Sequence, residues 1–172
     1  FTGHIIAVDI SRGMLKQAAN KLSTHREHVE LMQYDAFPLP FPDETFDVVS
    51  CVEALELIGE KQAAVKELAR VLRPGGILLT SRGTEESGRG VVVVSAEILT
   101  SLLQNAGFEN VEITPWWRVF NRVFAHKPGT LISAGKKSLK DVLRCPQCGQ
   151  ADIFSRTDSS LSCRNCAKQL KI

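Results

Sequence analysis

Four of the five cysteines in this 172-residue chain crowd its last quarter as two Cys-x-x-Cys pairs, Cys145-Pro146-Gln147-Cys148 and Cys163-Arg164-Asn165-Cys166. Fourteen residues separate the pairs. Thiolates so spaced form two knuckles that present four sulfurs tetrahedrally to one Zn²⁺, the ligand set of a structural zinc ribbon. Gly149 is free to take the positive φ with which such a knuckle turns amides toward sulfur, and Leu161-Ser162 leads into the second knuckle as a strand. Two disulfides or a redox Cys-x-x-Cys are the rival chemistries. With no basic and apolar secretory pattern after Phe1, a cytoplasmic location and metal are the expectation. A module this small buries too little apolar surface to fold alone, so the metal is expected to supply much of its folding free energy.

A second constellation is acidic. Asp9 ends the apolar run Ile5-Ile6-Ala7-Val8, and Asp35 ends Val29-Glu30-Leu31-Met32-Gln33-Tyr34. In an open parallel sheet, ligands bind beyond the carboxyl ends of the strands, and carboxylates there can accept from two ribose hydroxyls or from an adenine amino group. Helix capping and turn formation explain the same residues without a ligand. Cys51 and Glu53 follow the apolar run that starts at Phe46. Cys51 reads as a small core hydrophobe, since nothing adjacent in sequence would depress its pKa. Glu53 is either a base for a bound acceptor or a solvated residue at a helix entry. His4 and His126 read as structural.

The elements that must position these residues alternate. Ser11 can cap a helix whose Met14, Leu15, Ala18, Ala19 and Leu22 share a face. Pro38, Pro40 and Pro42 force an extended loop after the second strand. A third strand from Phe46 to Val52 precedes a helix over residues 60–72, which Arg73-Pro74-Gly75-Gly76 ends before a strand over residues 77–80. Ser95 opens a further helix that stops at Gly107, followed by a strand over residues 111–114. Residues 118–127 follow without an intervening helix and should return antiparallel. The order predicts an α/β fold built on a parallel sheet with helices on both faces and one reversed strand near its end. Residues 91–94 are either a short strand or part of a cover. Trp116-Trp117 suits stacking on an aromatic or lipid-like acceptor, or packing at a turn. Arg82 and Arg89 read as a solvated loop or a substrate entrance.

Three blocks in order carry a family resemblance. They are Ala7-Val8-Asp9-Ile10-Ser11, residues 35–49 (DAFPLPFPDETFDVV), and Glu67-Leu68-Ala69-Arg70-Val71-Leu72-Arg73-Pro74-Gly75-Gly76. Together they resemble class I S-adenosylmethionine-dependent methyltransferases of the ubiquinone/menaquinone-biosynthesis type, over residues 4–127. The resemblance implies a Rossmann-like sheet with its last strand antiparallel. It also implies that Asp9 binds the ribose of S-adenosylmethionine, Ile10 flanks the adenine, Asp35 and Ala36 contact the adenine edge, and Cys51 with Glu53 lines the cleft near the methyl group. The family's first strand and glycine-rich loop would precede Phe1, so the chain is expected to begin inside a domain and, alone, to bind cofactor poorly. The strands that flank that first strand in the family should then either pair directly or stay apart. Residues 139–146 and the run after the second knuckle resemble a short zinc-ribbon family that includes activator subunits of tRNA and rRNA methyltransferases.

Charge divides the chain in the same place: residues 1–126 carry a net −4 and residues 127–172 a net +6. The expected organisation is a partial methyltransferase domain over residues 1–127, a linker over 128–138 and a zinc ribbon over 139–172. No apolar run approaches the ~20 residues a membrane-spanning helix needs. The leading functional reading is methyl transfer to a small-molecule acceptor. The alternatives are an RNA or protein methyltransferase that docks through the ribbon, a nicotinamide-binding domain, and a non-enzymatic adaptor that carries the ribbon. Four thiolates on one Zn²⁺ subtract two charges from the +6 of residues 127–172, leaving about +4, too little to specify nucleic acid.

Overall fold

A computed structural model describes residues 3–35, 37–87, 93–132, 135 and 137–172. The chain divides into two compact units, Phe1–Pro42 with Ala134–Ile172, and Asp43–Ser133.

In the first unit, β1 (Ile5–Asp9) leads to α1 (Arg12–Lys21) and β2 (Val29–Gln33). Ser11 starts the helix as its sequence position suggests: its backbone is extended and its Oγ accepts the Met14 N–H. β1 and β2 pair in parallel from Ile5↔Val29 to Asp9↔Gln33, so Asp9 and Asp35 lie at one end of one sheet. The cysteine segment supplies β7 (Phe154–Arg156), β8 (Ser160–Cys163) and β9 (Gln169–Lys171), an antiparallel meander. β9 also pairs antiparallel with β2 at Gln33↔Lys171, giving the sheet order β1-β2-β9-β8-β7. β9 thus meets the outer edge of β2 only at its carboxyl end among the described residues. Met32, Leu139, Leu143 and Leu161 are fully buried and form the heart of the unit.

Glu30 of β2 fastens the two halves of this unit. Its carboxylate accepts the Leu139 N–H at 2.5 Å, lies 2.9 Å from His4 Nε2 and pairs with Arg156. Burial pushes its pKa up, but the Leu139 N–H, Arg156 and His4 outweigh that and hold it below the ordinary glutamate value. The stabilisation is therefore present above the ordinary carboxylate range and is lost as pH falls through the lowered pKa. Glu30→Ala, which strands three donors, should cost about 2–3 kcal/mol at neutral pH. In urea titrations the difference from wild type should shrink below about pH 4. A constant difference down to pH 2 would contradict the assignment.

The second unit holds β3 (Phe46–Cys51), α2 (Lys61–Val71), β4 (Leu72–Gly83), α3 (Ala96–Asn105), β5 (Glu109–Trp117) and β6 (Phe120–His126). Its sheet order is β3-β4-β6-β5, with β3 and β4 parallel and β6 antiparallel to both of its neighbours. The reversed final strand expected for residues 118–127 is therefore present, inserted between β4 and β5. α2 buries Ala64, Val65, Leu68, Ala69 and Val71. Its carboxyl end is capped by Lys127, whose Nζ donates to the Ala69 and Leu72 carbonyls at 3.0 and 2.7 Å. Ser95 caps α3 through the Ile98 N–H, and Gly107 (φ 90°) follows the helix end.

β4 and β5 are longer than their apolar runs suggest. Pairing with β6 from Ile77↔His126 to Gly83↔Phe120 extends β4 through polar residues, a case of cross-strand partners overriding local propensity. At its start β4 jumps register, from Phe46↔Leu72 to Val48↔Ile77, so Arg73-Pro74-Gly75-Gly76 bulges out of the ladder. Among the described residues, β1 and β3 belong to different sheets.

Candidate cofactor and metal sites

At the carboxyl end of the first sheet, backbone bonds bring the Asp9 and Asp35 segments together. Tyr34 donates its N–H to the Asp9 carbonyl at 3.2 Å, and Gln33 Nε2 donates to the Ile10 carbonyl at 3.0 Å. Asp9 Oδ1 accepts the Ser11 N–H at 2.7 Å, so one carboxylate oxygen turns the chain into α1. Ile10 is 66% exposed and Asp35 is exposed, leaving an apolar side chain and a carboxylate open to solvent at the same sheet end. Ala36 lies outside the described residues. Gln33 was not singled out by sequence reasoning; a polar residue closing an apolar strand was its only signal.

Cys51 and Glu53 belong to the second unit, at the carboxyl end of β3. Thr80 Oγ1 donates to the Cys51 carbonyl at 2.8 Å, and Ser81 Oγ accepts the Glu53 N–H at 2.7 Å, with Glu53 at φ 54°. Burial of the Cys51 thiol pushes its pKa up to about 11, only partly offset by the Leu55 N–H. Burial thus keeps Cys51 in its neutral thiol form near neutral pH. Peptide-resolved alkylation with iodoacetamide should accelerate about tenfold per pH unit from 7 to 10. A rate that levels off by pH 9 would contradict this.

Arg82 is buried rather than solvated: Nε donates to the Val94 carbonyl and the guanidinium pairs with Glu85. Its neighbour Gly83 donates its N–H to Glu56 Oε1 at 2.8 Å, and Glu56 is buried in the short turn after β3. Glu56 was also unannounced, being one acid between Leu55 and Leu57. Arg89, Val91 and Val92 lie outside the described residues, and Val93 and Val94 form no strand. Trp116 and Trp117 are about half exposed rather than packed away, with Trp117 stacked on Phe120 at 6.4 Å and Arg118 5.0 Å over the Trp117 ring. Because β5 runs parallel to β3 and β4, the pair sits at the sheet end that carries Cys51 and Glu53.

Residues 1–80 match the family described as methyltransferase domain. The ubiquinone/menaquinone biosynthesis C-methyltransferase UbiE of Hahella chejuensis is 41% identical over 80 residues, which are 45% of this chain and 32% of that protein. The aligned part thus spans about a third of the length of the curated relatives it matches. A solved SAM-dependent methyltransferase from Aquifex aeolicus superposes with a TM-score of 0.62 at 24% identity, over 72% of this chain and 69% of that one. A chain from a Haloferax volcanii complex containing the Trm112 methyltransferase activator gives 0.61 at 19%, over 73% of each. At such identities the two structures testify to the fold. Since they extend beyond 80 residues, the methyltransferase fold continues past the segment recognised by sequence.

The cysteine cluster lies beyond the segment that matches the family. Cys145 and Cys166 sulfurs lie 3.5 Å apart, Cys148 and Cys163 sulfurs 3.7 Å, and all four fall within 4.8 Å of one another. Four Zn–S bonds of ~2.3 Å pointing to the corners of a tetrahedron set sulfurs ~3.8 Å apart, so the cluster fits Zn²⁺. The knuckles are built alike. Gly149 and Ala167 donate their N–H groups to the Cys145 and Cys163 carbonyls, and the Cys145 and Cys163 N–H groups bond the Gln150 and Lys168 carbonyls. Gly149 and Ala167 both take positive φ, 74° and 61°, the conformation foreseen for Gly149 alone. The Gln150 N–H and the Asn165 side chain stabilise the Cys148 thiolate and hold its pKa down at about 6. Such bonds to sulfur are the outer support typical of a thiolate metal site.

Proposed function

We propose that this chain is part of an S-adenosylmethionine-dependent methyltransferase acting on a small-molecule acceptor, with a structural zinc ribbon at its carboxyl end. In this reading residues 1–127 form the methyltransferase part, 128–138 a linker and 139–172 the ribbon. Asp9 takes the ribose hydroxyls through its second oxygen, Ile10 covers the adenine, and Asp35 with Ala36 meets the adenine edge. Cys51 lines the methyl end as a neutral thiol. S-Adenosylmethionine, when bound, supplies a methyl group on a sulfonium with a good leaving group. The protein's task is then to bind, orient and exclude water rather than to attack. Glu53 is the candidate to orient or deprotonate an acceptor.

The observation that carries the reading is the parallel β1–β2 pair, which sets Asp9, Ile10 and Asp35 at one sheet end within the segment that matches the family. The test is isothermal titration of S-adenosylhomocysteine into the longest form of the chain its gene encodes. Asp9→Ala should weaken binding at least tenfold, the scale of two lost hydrogen bonds to a charged group. Binding of NADH instead would replace this reading with the nicotinamide one. An RNA or protein acceptor docked through the ribbon is a second reading, supported by the likeness to a chain from the activator complex. Salt-sensitive binding of transfer RNA that Lys168→Glu abolishes would favour it. No helix among the described residues is long and apolar enough to cross a membrane.

A further inference from the structure

Two grips join the cysteine module to the loops that carry Asp9, Ile10 and Asp35, and each adjoins a knuckle. After the second knuckle, Lys171 of β9 pairs with Gln33, and this is the only residue pair linking β9 to β2 among the described residues. The Gln33 side chain goes on to hold the Ile10 carbonyl, while the next residue, Tyr34, holds the Asp9 carbonyl by its N–H and the Pro38 carbonyl by its hydroxyl. Before the first knuckle, Arg144 donates its N–H to the Pro40 carbonyl at 2.8 Å. Pro40 and Phe41, which close the loop after Asp35, are buried, as are Val142 and Leu143 on the module's approach to Cys145.

We infer that the metal-loaded module positions the adenosine-binding loops, with Gln33 and the Arg144 main chain as the positioning groups. The inference rests on the cofactor reading given above for Asp9, Ile10 and Asp35. Its physical basis is that the knuckles depend on metal for their shape. A single β9–β2 residue pair cannot persist unless the ribbon sheet presents β9 to it. Without that brace, Ile10 and the 34–41 loop lose partners while keeping exposed apolar side chains, Ile10 and Phe37. Ordering them again then opposes ligand binding. By linkage, a nucleoside ligand must tighten metal retention by the same factor as metal tightens the ligand.

The experiment compares the zinc-loaded chain with the same chain stripped by chelator, by hydrogen exchange read at the Tyr34 and Phe41 amides and by titration of S-adenosylhomocysteine. Stripping should speed exchange at both amides at least tenfold and weaken S-adenosylhomocysteine by a similar factor. Gln33→Leu should keep one zinc per chain and a protected ribbon, yet bind S-adenosylhomocysteine several-fold more weakly. If stripping frees the ribbon amides while Tyr34 and Phe41 stay protected, or if Gln33→Leu binds as wild type does, the inference is wrong. A zinc-loaded wild-type chain that gives no heat with S-adenosylhomocysteine overturns the cofactor reading instead. The exchange comparison then decides the positioning role on its own.

Discussion

Cys163→Ser is expected to release the metal and unfold residues 139–172. Cys163 is buried, and its main chain closes the second knuckle through Lys168 and Ala167, so a hydroxyl there loses both a ligand and a structural corner. Structural zinc in small modules contributes roughly 10–16 kcal/mol of apparent binding free energy near neutral pH. The buried apolar side chains of the ribbon, chiefly Leu139, Leu143, Phe154, Leu161 and Leu170, are too few to replace it. Metal analysis should fall from about one zinc per chain to under a tenth, and ribbon amides should exchange like an unfolded chain. A variant that keeps full zinc, or that loses zinc yet retains ribbon protection, would show that the four thiolates are not what holds this module together.

Gly75→Ala should damage the second unit almost as severely. Gly75 adopts φ 75°, and a Cβ built on it would lie 2.4 Å from the Leu131 nitrogen and 2.8 Å from the Thr130 carbonyl carbon. Both neighbours are main chain, so relief requires moving backbone rather than turning a side chain. The left-handed conformation adds roughly 1–2 kcal/mol for any residue with a Cβ, and forced repacking typically adds 1–3. The Gly75 N–H also bonds the Lys127 carbonyl at 3.0 Å, beside the lysine whose Nζ caps α2, so displacement would loosen the helix end as well. The expected loss is on the order of 3 kcal/mol, a fall in Tm of on the order of 15 °C for a unit this size. Gly107→Ala is the control, because its site has open space around the missing Cβ and only the positive φ is violated. Equal losses at the two positions would remove the collision from the explanation.

The Arg73-Pro74-Gly75-Gly76 run thus has two levels of meaning. As a sequence it is a helix stop, because proline and glycine cannot continue a helix. In the structure it is a bulge whose glycines let residues 127–131 approach the start of β4. The first property is local and was visible; the second needs a segment more than fifty residues away. Similar reasoning separates Gly149 from Ala167. Both occupy positive φ in equivalent knuckles, but only glycine advertises that conformation.

Elements with strong periodicity were legible: the caps at Ser11 and Ser95, the helices they start, the parallel strands and the reversed last strand. Each depends on residues within a few positions of one another. The cysteine cluster was legible for the same reason, since Cys-x-x-Cys spacing encodes a knuckle and two knuckles encode a tetrahedron. Arg82 proved buried rather than solvated, and the exposure of the Trp116-Trp117 pair was not legible in the sequence. Burial depends on what other elements deliver: Val94 and Glu85 to the guanidinium, and Phe120 and Arg118 to the Trp117 ring.

Spacing and order along the chain were therefore sufficient for the fold class, the cysteine cluster and the acids at the strand ends. They were silent about β9 pairing with β2, about Glu30 as the acceptor shared by His4, Leu139 and Arg156, and about Gln33 reaching Ile10. Glu30 and Leu139 stand 109 positions apart, and no local pattern distinguishes a glutamate that will meet them from one that will face water. Hydrophobic periodicity reports which face of an element is buried. Which distant backbone group satisfies a particular carboxylate or amide is set by the packing of whole elements, and that appears only once the chain is folded.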